Sequence, residues 1–374
     1  MVLRAKTMDL LRTKPITQKQ ESNSILNLNE LNSSLFWLSS YPRRIILELT
    51  NACNLHCIMC GRQEKSFKPH FLELKYIQKF GPILDLIEEI TLMGWGEPTI
   101  HPQLGAILNF LNSYPVTKYL VTNGMKLGEI QELLFQYSVD ILGVSLDGGT
   151  AETNNRIRKG GDFDKIVGNL REMIKARQAR QQKNPYVNLV FTVMQSNLYE
   201  LPRLVELAAD IGLEEVKVVY LTVFGDSLSH ETLFNHQSEV QAVFGEAERL
   251  AGKLGVLLKL PYIQGEDPAG VGNHKPCYVS WRDFFVGSDG YIRPCQSTPR
   301  KLFSIGTKDD TIENFIDIWN SPEFIDFRRT VNDENTMPQE CKRCYQSSYA
   351  NWNQKHAFWQ IDQDFAPQWV DNIK

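Results

Sequence analysis

The sequence predicts an α/β fold in which a parallel sheet is followed by a small cysteine-rich domain. Between residues 44 and 221, six short runs rich in β-branched residues alternate with longer runs of helical periodicity. Near residue 262 this alternation stops, and cysteines, aromatic residues and turns become frequent. Strands that alternate with helices form right-handed βαβ units. The six units therefore either curl into an open partial barrel or wind into a flat sheet.

The elements follow from hydrophobic period and turn residues. The predicted strands span residues 44–49, 89–93, 117–122, 139–146, 186–194 and 215–221, with a shorter strand at 257–260. The predicted helices span residues 72–87, 102–111, 128–137, 163–180, 198–211 and 231–254, and an amphipathic helix at 25–38 leads into them. In a barrel and in a flat sheet alike, ligands collect at the carboxyl ends of the strands.

The chain divides into four predicted parts. They are an N-terminal extension at residues 1–42, the strand–helix domain at 43–262, a small domain at 263–348 and a tail at 349–374 that packs on the body. Residues 265–272 are predicted to be a loop. Because domains rarely have fewer than ~50 residues, the extension is too short for a separately folded domain.

Composition limits the classes of partner. The chain has 374 residues, and its 40 basic and 44 acidic side chains give a net charge of −4 without a long basic tract. We therefore expect neither a nucleic acid nor a membrane as partner. No apolar run approaches the ~18 residues that span a bilayer, and the polar start carries no secretory signal. The expected location is the cytoplasm.

Three cysteines follow the first predicted strand. Cys53, Cys57 and Cys60 have the spacing C-x3-C-x2-C. Three thiolates on one loop can hold three corners of a cubane iron–sulfur cluster and leave the fourth iron open to a small molecule. A disulfide framework is disfavoured because 7 cysteines are too few to staple 374 residues. A tetrahedral zinc site uses similar spacings and remains an alternative.

The other four cysteines lie in the C-terminal part. Cys277 and Cys295 flank a predicted hairpin at residues 285–295 that turns at Asp289-Gly290, and Cys341 and Cys344 form a C-x2-C pair. Asp-Gly is a strong hairpin signal. Four thiolates can hold an iron–sulfur cluster, a rubredoxin-like iron or the zinc of a ribbon.

Three further motifs end predicted strands. They are Gly94-Trp95-Gly96-Glu97-Pro98 after the second strand, Thr122-Asn123-Gly124 after the third and Ser145-Leu146-Asp147-Gly148 after the fourth. Arg156 and Arg158 come next, and one of them can pair with a carboxylate. Gly and Pro are ordinary in strand-ending turns. These motifs are therefore informative only because they end strands next to the cysteine loop.

Together the cysteine loop and these motifs resemble the radical S-adenosylmethionine (radical SAM) superfamily. The resemblance implies a partial (β/α)6 TIM-like barrel, with a [4Fe–4S] cluster held by Cys53, Cys57 and Cys60. In that family S-adenosylmethionine chelates the fourth iron, and its reductive cleavage gives a 5′-deoxyadenosyl radical that removes a hydrogen atom from the substrate. The implied cofactor-binding residues are Gly94, Gly96, Glu97, Pro98, Asn123, Ser145, Asp147 and Arg158. Trp95 stands where the family carries a glycine, and no residue is assigned as a general base.

The second cysteine set resembles the SPASM and twitch domains, which bind auxiliary [4Fe–4S] clusters. A full SPASM domain has seven or more cysteines, so the four here imply one auxiliary cluster, held by Cys277, Cys295, Cys341 and Cys344. All 7 cysteines are then ligands, and no thiol remains to return a hydrogen atom to a substrate radical. We therefore expect oxidation or cross-linking of the substrate, not epimerisation.

The expected function is that of a peptide or protein maturase. Its expected partners are a peptide substrate and a reductant such as flavodoxin or ferredoxin. One alternative is a radical SAM dehydrogenase of a small molecule, such as an amino sugar or another alcohol. Another is a non-enzymatic iron–sulfur or zinc-binding protein, which leaves the motif at residues 94–98 without explanation.

Overall fold

The computed structural model describes residues 2–5, 15–64, 68–223, 226–263, 277–305, 314–333, 335–347, 358–361 and 367–369. The strands are β1 (Val2–Ala5), β2 (Arg44–Leu47), β3 (Glu89–Leu92), β4 (Thr117–Thr122), β5 (Ile141–Ser145), β6 (Tyr186–Val193), β7 (Glu215–Tyr220), β8 (Leu257–Lys259), β9 (Asp283–Val286), β10 (Tyr291–Arg293), β11 (Phe303–Ser304), β12 (Phe358–Ile361) and β13 (Pro367–Trp369). The helices are α1 (Gln18–Asn32), α2 (Leu74–Gln78), α3 (Leu104–Leu111), α4 (Leu127–Gln136), α5 (Ala151–Ile157), α6 (Phe163–Ala179), α7 (Leu201–Ile211), α8 (Gln237–Leu254), α9 (Val279–Arg282), α10 (Phe315–Trp319), α11 (Pro322–Thr330) and α12 (Gln339–Ser347).

One ten-stranded sheet organises the molecule. Its order is β11-β10-β9-β2-β3-β4-β5-β6-β7-β8, and the strands from β2 to β8 are parallel and follow the order of the chain. A doubly wound sheet reverses its strand order at a switch point, whereas this order winds in one direction, as in a barrel. Since β8 and β11 form separate ends of the sheet, the barrel is open. The predicted α/β partial barrel is confirmed.

The strand β4 shows how the sequence builds the wall. Lys118, Leu120 and Thr122 are buried on one face, and Tyr119 and Val121 line the cavity on the other. This alternation is the period of two expected for a strand. The predicted bounds of this strand, 117–122, agree with the structure.

The first helix differs from its prediction at residues 25–38. Helix α1 begins after Thr17, whose side chain forms a capping box with Gln20, and it ends at Asn32. Its buried face is polar: the Gln20 side-chain amide donates to the Ile87 carbonyl at 2.7 Å, and that of Asn27 donates to the Trp281 carbonyl at 2.7 Å. Because hydrophobic period cannot detect a polar buried face, the prediction missed residues 18–24, and it wrongly extended the helix over residues 33–38.

Other helices also differ from their predicted bounds. Residues 72–87 contain only α2 and a 3-10 turn at Gly81–Ile83, because Pro82 lacks the N–H that a continuing helix needs. The helix α5 was not predicted; it begins after Thr150, whose hydroxyl accepts from Thr153 N. The helix predicted at 231–254 begins only at Gln237.

The C-terminal hairpin joins the barrel sheet. Strands β9 and β10 form the predicted antiparallel hairpin, and β9 also pairs in parallel with β2, with Arg44 opposite Asp283. The sheet therefore runs without a break from the barrel into the cysteine-rich segment.

The predicted tail and loop are only partly described. Of residues 349–374, only β12 and β13 belong to the described residues; they form a three-stranded antiparallel sheet with β1. The predicted loop at 265–272 lies outside them. None of the described helices combines the length and the apolar character needed to cross a membrane.

Candidate active site

Both sets of cysteines border one cavity. The inner faces of the strands β2 to β9 enclose a space of about 610 Å³. Cys60 and Gly94 belong to its wall, and so do Cys277, Cys295, Cys341 and Cys344. The carboxyl ends of the barrel strands and the C-terminal segment thus face the same space.

Backbone contacts fix the first cysteine loop on two sides. On one side the Asn51 side chain accepts from His70 N at 2.7 Å and donates to the Lys68 carbonyl at 2.9 Å. On the other side His56 N donates to the Lys159 carbonyl at 2.8 Å, and Ile58 N donates to the Ile157 carbonyl at 2.9 Å. The loop is therefore held between the segment before α2 and the end of α5.

The thiols of this loop suit a metal cluster. Burial raises the pKa of Cys53 and raises that of Cys57 to about 11. Such thiols stay protonated at neutral pH until a metal displaces the proton. Three soft sulfur donors on one loop are the ligand type that iron–sulfur clusters use, so Cys53, Cys57 and Cys60 fit the implied group.

Gly96 lies where the second motif touches the cysteine loop. A Cβ atom at this position would stand 2.2 Å from the Thr50 carbonyl oxygen and 2.3 Å from that of Ala52. The next residue, Glu97, donates its N–H to the Ala52 carbonyl at 2.8 Å. At Gly94 a Cβ atom would stand 2.4 Å from Cγ of Glu48. Both glycines are therefore required for close packing, whatever else they contact.

The carboxylate of Glu97 joins the ends of two strands. It is buried and accepts from Thr99 N (3.1 Å), Thr99 Oγ1 (2.6 Å), Thr122 Oγ1 (2.7 Å) and Asn123 N (2.7 Å). It also caps the 3-10 turn Pro98–Ile100. Glu97 thus holds the motifs that follow β3 and β4 together. Its contact with the cofactor stays a prediction.

Asn123 and Ser145 end their strands near the same edge. Asn123 Nδ2 donates to Asn54 Oδ1 at 2.8 Å and stands 3.8 Å from Sγ of Cys53. Ser145 is the last residue of β5 and is half-buried. The turn after β4 therefore reaches the cysteine loop directly.

Asp147 and Arg158 form a buried ion pair behind the loop. Arg158 Nε lies 2.7 Å from Asp147 Oδ2, and Asp147 Oδ1 accepts from Thr192 N at 2.7 Å. The guanidinium Nη1 stands 4.0 Å from Sγ of Cys57, where its positive charge favours the thiolate. Of the two candidate arginines, Arg158 thus makes the carboxylate pair, and Arg156 donates to the Ser196 carbonyl.

The four C-terminal cysteines come from three segments. Cys277 precedes α9, Cys295 follows β10, and Cys341 and Cys344 lie three residues apart on α12 and so share one face of it. Burial, together with repulsion from neighbouring thiolates, raises the pKa of Cys277 to about 12 and that of Cys295 well above its usual value. Among the described residues, no three His, Cys, Asp or Glu side chains converge on a single-ion site. The assignment of ligands therefore rests on spacing and family.

Two features of the site have no motif in the sequence. The first is Glu48, whose carboxylate accepts from Trp95 N at 2.8 Å and from Ser288 N and Oγ at 3.0 and 2.7 Å. The second is a polar cavity floor that includes Lys217 and Glu215 on β7 and Lys259 on β8. The sequence signal that could have revealed these two features is a charged residue at an inward-facing position of an otherwise apolar strand.

An open parallel barrel with three cysteines after its first strand defines the class of radical S-adenosylmethionine enzymes. Family models agree: the radical SAM superfamily model matches residues 47–189, and the SPASM model, an iron–sulfur cluster-binding domain, matches residues 277–345. The chain belongs to the radical SAM superfamily and carries a SPASM domain. It is an enzyme whose family uses S-adenosylmethionine, a [4Fe–4S] cluster and auxiliary iron–sulfur clusters.

Relatives match most of the chain. The PqqA peptide cyclase of Gluconobacter oxydans is 28% identical over 327 residues, which are 82% of this chain and 84% of that protein. The tungsten-containing aldehyde ferredoxin oxidoreductase cofactor-modifying protein of Pyrococcus furiosus is 24% identical over 80% of this chain and 86% of its own length. The crystal structure of Streptococcus suis SuiB bound to precursor peptide SuiA superposes with a TM-score of 0.63 at 14% identity, and covers 87% of this chain and 75% of SuiB. The structural likeness supports the fold.

Proposed function

We propose that this protein is a peptide maturase that oxidises or cross-links its substrate, with one auxiliary [4Fe–4S] cluster as electron acceptor. The observation that carries the proposal is the shared cavity, which Cys60 borders together with Cys277, Cys295, Cys341 and Cys344. A substrate in this cavity lies between the radical-generating site and the auxiliary site. An electron released by the substrate then has an acceptor in the wall of the same cavity.

The relatives support a peptide as substrate. The names PqqA peptide cyclase and SuiB bound to precursor peptide SuiA belong to proteins that act on or bind peptides. A cavity of about 610 Å³ has room for side chains of a peptide, since small-ligand pockets span roughly 300–1,000 Å³. The small-molecule dehydrogenase has less support.

When bound, the cofactors would supply a carbon-centred radical that takes one hydrogen atom from the substrate and an acceptor, the auxiliary cluster, for one further electron. The substrate would lose that electron together with one proton, either directly to form a double bond or after it has bonded to a second group of the peptide. The residues of the chain are proposed to position these cofactors and to shield them from water. Asn51 and the end of α5 hold the cysteine loop, Glu97 holds the motifs of β3 and β4 against it, and Arg158 lies beside Cys57. Gly94, Gly96, Pro98, Asn123 and Ser145 stand at the strand ends where the cofactor is proposed to bind.

The count of cysteines favours oxidation. All seven cysteines lie in the described residues, and none is in a disulfide. Three belong to the first loop and four to the second set, so a donor thiol remains only if one of the four is not a ligand. We propose that all four are ligands. A reductant such as flavodoxin or ferredoxin is proposed to deliver the electron that starts the reaction.

Anaerobic reconstitution tests the proposal. The reconstituted protein, with dithionite and S-adenosylmethionine, is expected to form 5′-deoxyadenosine, and Cys57→Ala is expected to form none. Mössbauer spectra of the single Cys→Ala variants of the second set are expected to lose the auxiliary cluster in each case. Retention of that cluster in any one of them would identify a free thiol and contradict oxidation as the preferred outcome.

A further inference from the structure

Among the described residues, the wall of the cavity carries five cations, and four of them have a carboxylate partner. Arg43 Nε lies 2.8 Å from Glu88 Oε1, and Arg44 and Arg282 both hold Asp283. Lys259 Nζ lies 3.0 Å from Glu215 Oε2. The fifth cation is Lys217.

The carboxylate nearest in sequence to Lys217 is fully engaged elsewhere. Glu215 is buried, pairs with Lys259, and accepts from the Tyr186 hydroxyl at 2.9 Å and the Asn188 amide at 3.4 Å. Two carboxylates of the described wall remain. Glu89 lies 3.8 Å from Arg44 Nη1 and accepts from the Thr91 hydroxyl, and Glu340 stands on α12 beside Cys341 and accepts from Thr298 Oγ1. None of these carboxylates forms an ion pair with Lys217.

Lys217 itself lines the cavity, and the described residues offer it no acidic partner. On β7 it lies in register between Val190 of β6 and Lys259 of β8, and its Nζ stands 5.9 Å from the centre of the Tyr119 ring. No carboxylate in the described part of the chain lies within ion-pair distance of it. Burial, with the Lys259 charge next to it, lowers the pKa of Lys217 to about 8.

An unpaired ammonium in such a place is costly for folding. Burying a charge without a partner disfavours the folded state, and a neutral side chain of similar length would avoid this cost. A lysine with a purely structural role would have an acidic partner, as Lys259 has. The missing partner is therefore expected to come from what enters the cavity.

We propose that Lys217 binds a carboxylate of the substrate inside the barrel. The inference rests on the proposed function in one respect, namely that the substrate is a peptide. The carboxylate is that of a Glu or Asp side chain or of a peptide C-terminus. A peptide with Gln or Asn at that position leaves Lys217 unpaired and binds more weakly, because a site built for a charged partner rejects its neutral analogue.

Protection of Lys217 from chemical acetylation tests this proposal without turnover. The reconstituted holoenzyme is treated with limiting acetic anhydride at pH 8, and acetylation of each lysine is measured by peptide mass spectrometry. The probes are N-acetyl-glutamate amide and the neutral, isosteric N-acetyl-glutamine amide, both at millimolar concentration. The glutamate probe is expected to slow acetylation of Lys217 several-fold and the glutamine probe is not, while exposed Lys253 reports no difference. Equal protection by the two probes, or protection by neither, would overturn the proposal.

Two variants separate binding from a structural role. Lys259→Met leaves Glu215 without its cation and is expected to lower the melting temperature, whereas Lys217→Met is expected to leave it unchanged or raise it. An equal loss from both variants would make Lys217 a structural residue and overturn the proposal. Because neither measurement uses cleavage of S-adenosylmethionine, a failure here is distinguishable from a failure to form 5′-deoxyadenosine, which would refute the proposed function.

Discussion

Gly96 is the residue at which the second motif and the cysteine loop have the least room. Because a Cβ atom would fall 2.2 Å from a backbone oxygen, Gly96→Ala must push the loop of Cys53 away. We expect a loss of about 2 kcal/mol of unfolding free energy, within the range for overpacking, and loss of iron from the first site. Urea denaturation and iron analysis measure the two effects.

The matched control is Gly168→Ala. Gly168 lies in α6, is exposed, and a Cβ atom there would meet nothing within 4 Å. Alanine is the better helix former by roughly 0.5–1 kcal/mol, so this variant is expected to gain stability and keep its iron. If Gly96→Ala behaves like Gly168→Ala, the close packing at residue 96 is not what holds the loop.

The buried pair of Arg158 and Asp147 gives a second prediction. Removing one partner of a buried pair leaves an uncompensated charge, at a cost of about 3–5 kcal/mol, so Arg158→Met is expected to be strongly destabilised and to bind less iron. Arg171→Met breaks an exposed pair with Asp210 and is expected to cost under ~1 kcal/mol. Equal unfolding free energies for the two variants would contradict the structure.

The proton on Lys217 predicts a pH dependence. The ammonium form exists below its pKa of about 8, so affinity for a carboxylate is present below that pH and is lost as pH rises through it. The charged or titratable groups that face Lys217 are Tyr119 on β4, Lys259 on β8, Glu215 on β7, Glu89 on β3 and Arg44 on β2. Protection by N-acetyl-glutamate amide, measured from pH 6.5 to 9.5, is expected to fade above pH 8 in the wild type. Lys217→Arg, which keeps its charge, is expected to retain affinity for that probe by equilibrium dialysis across the same range.

At the scale of elements, Glu48 connects the barrel to the hairpin. Its carboxylate holds the turn after β3 at Trp95 and the turn after β9 at Ser288. Glu48→Gln replaces one acceptor oxygen with an NH2 group that faces N–H donors, so we expect a loss of about 3 kcal/mol. Glu132→Gln, in an exposed pair with Arg180, is the control and is expected to change little. A loss of similar size in both would rule out a bridging role for Glu48.

Sequence patterns predict the elements wherever burial is apolar. Strand β4 has its predicted bounds because its apolar and polar residues alternate, and α6 ends within one residue of its prediction. Helix α1 was misplaced because Gln20, Asn23 and Asn27 form its buried face. There, hydrogen bonds to distant carbonyls replace apolar contacts, and no local pattern encodes them.

The candidate site likewise contains features that a local sequence pattern predicts and features that depend on distant contacts. The cysteines and the motifs of residues 94–98, 122–124 and 145–148 are visible because each is a short run at one strand end. Lys217 and Glu48 are not visible, because their roles depend on partners up to 240 residues away. The pairing of β9 with β2 is hidden for the same reason, although the hairpin of β9 and β10 has a clear local signal in Asp289-Gly290.

At the scale of the whole molecule, two clusters predict a stoichiometry. The reconstituted enzyme is expected to bind about eight irons per chain, four for each cubane. Cys53→Ala and Cys295→Ala are each expected to retain about four, which iron analysis and EPR of the reduced protein would measure. Zinc in place of iron at the second set would contradict the auxiliary cluster.

The pairing of β9 with β2 also sets an order of events during synthesis and folding of the protein. Arg44 and Asp283 are 239 residues apart in the chain, so the ribosome makes the whole barrel before the last parallel strand exists. Contacts so distant form late, and until then β2 presents an open edge of the kind that favours aggregation. The first cysteine loop can therefore be complete while the second set is still being synthesised. Loading of the second site with iron must wait until Cys344 has been synthesised.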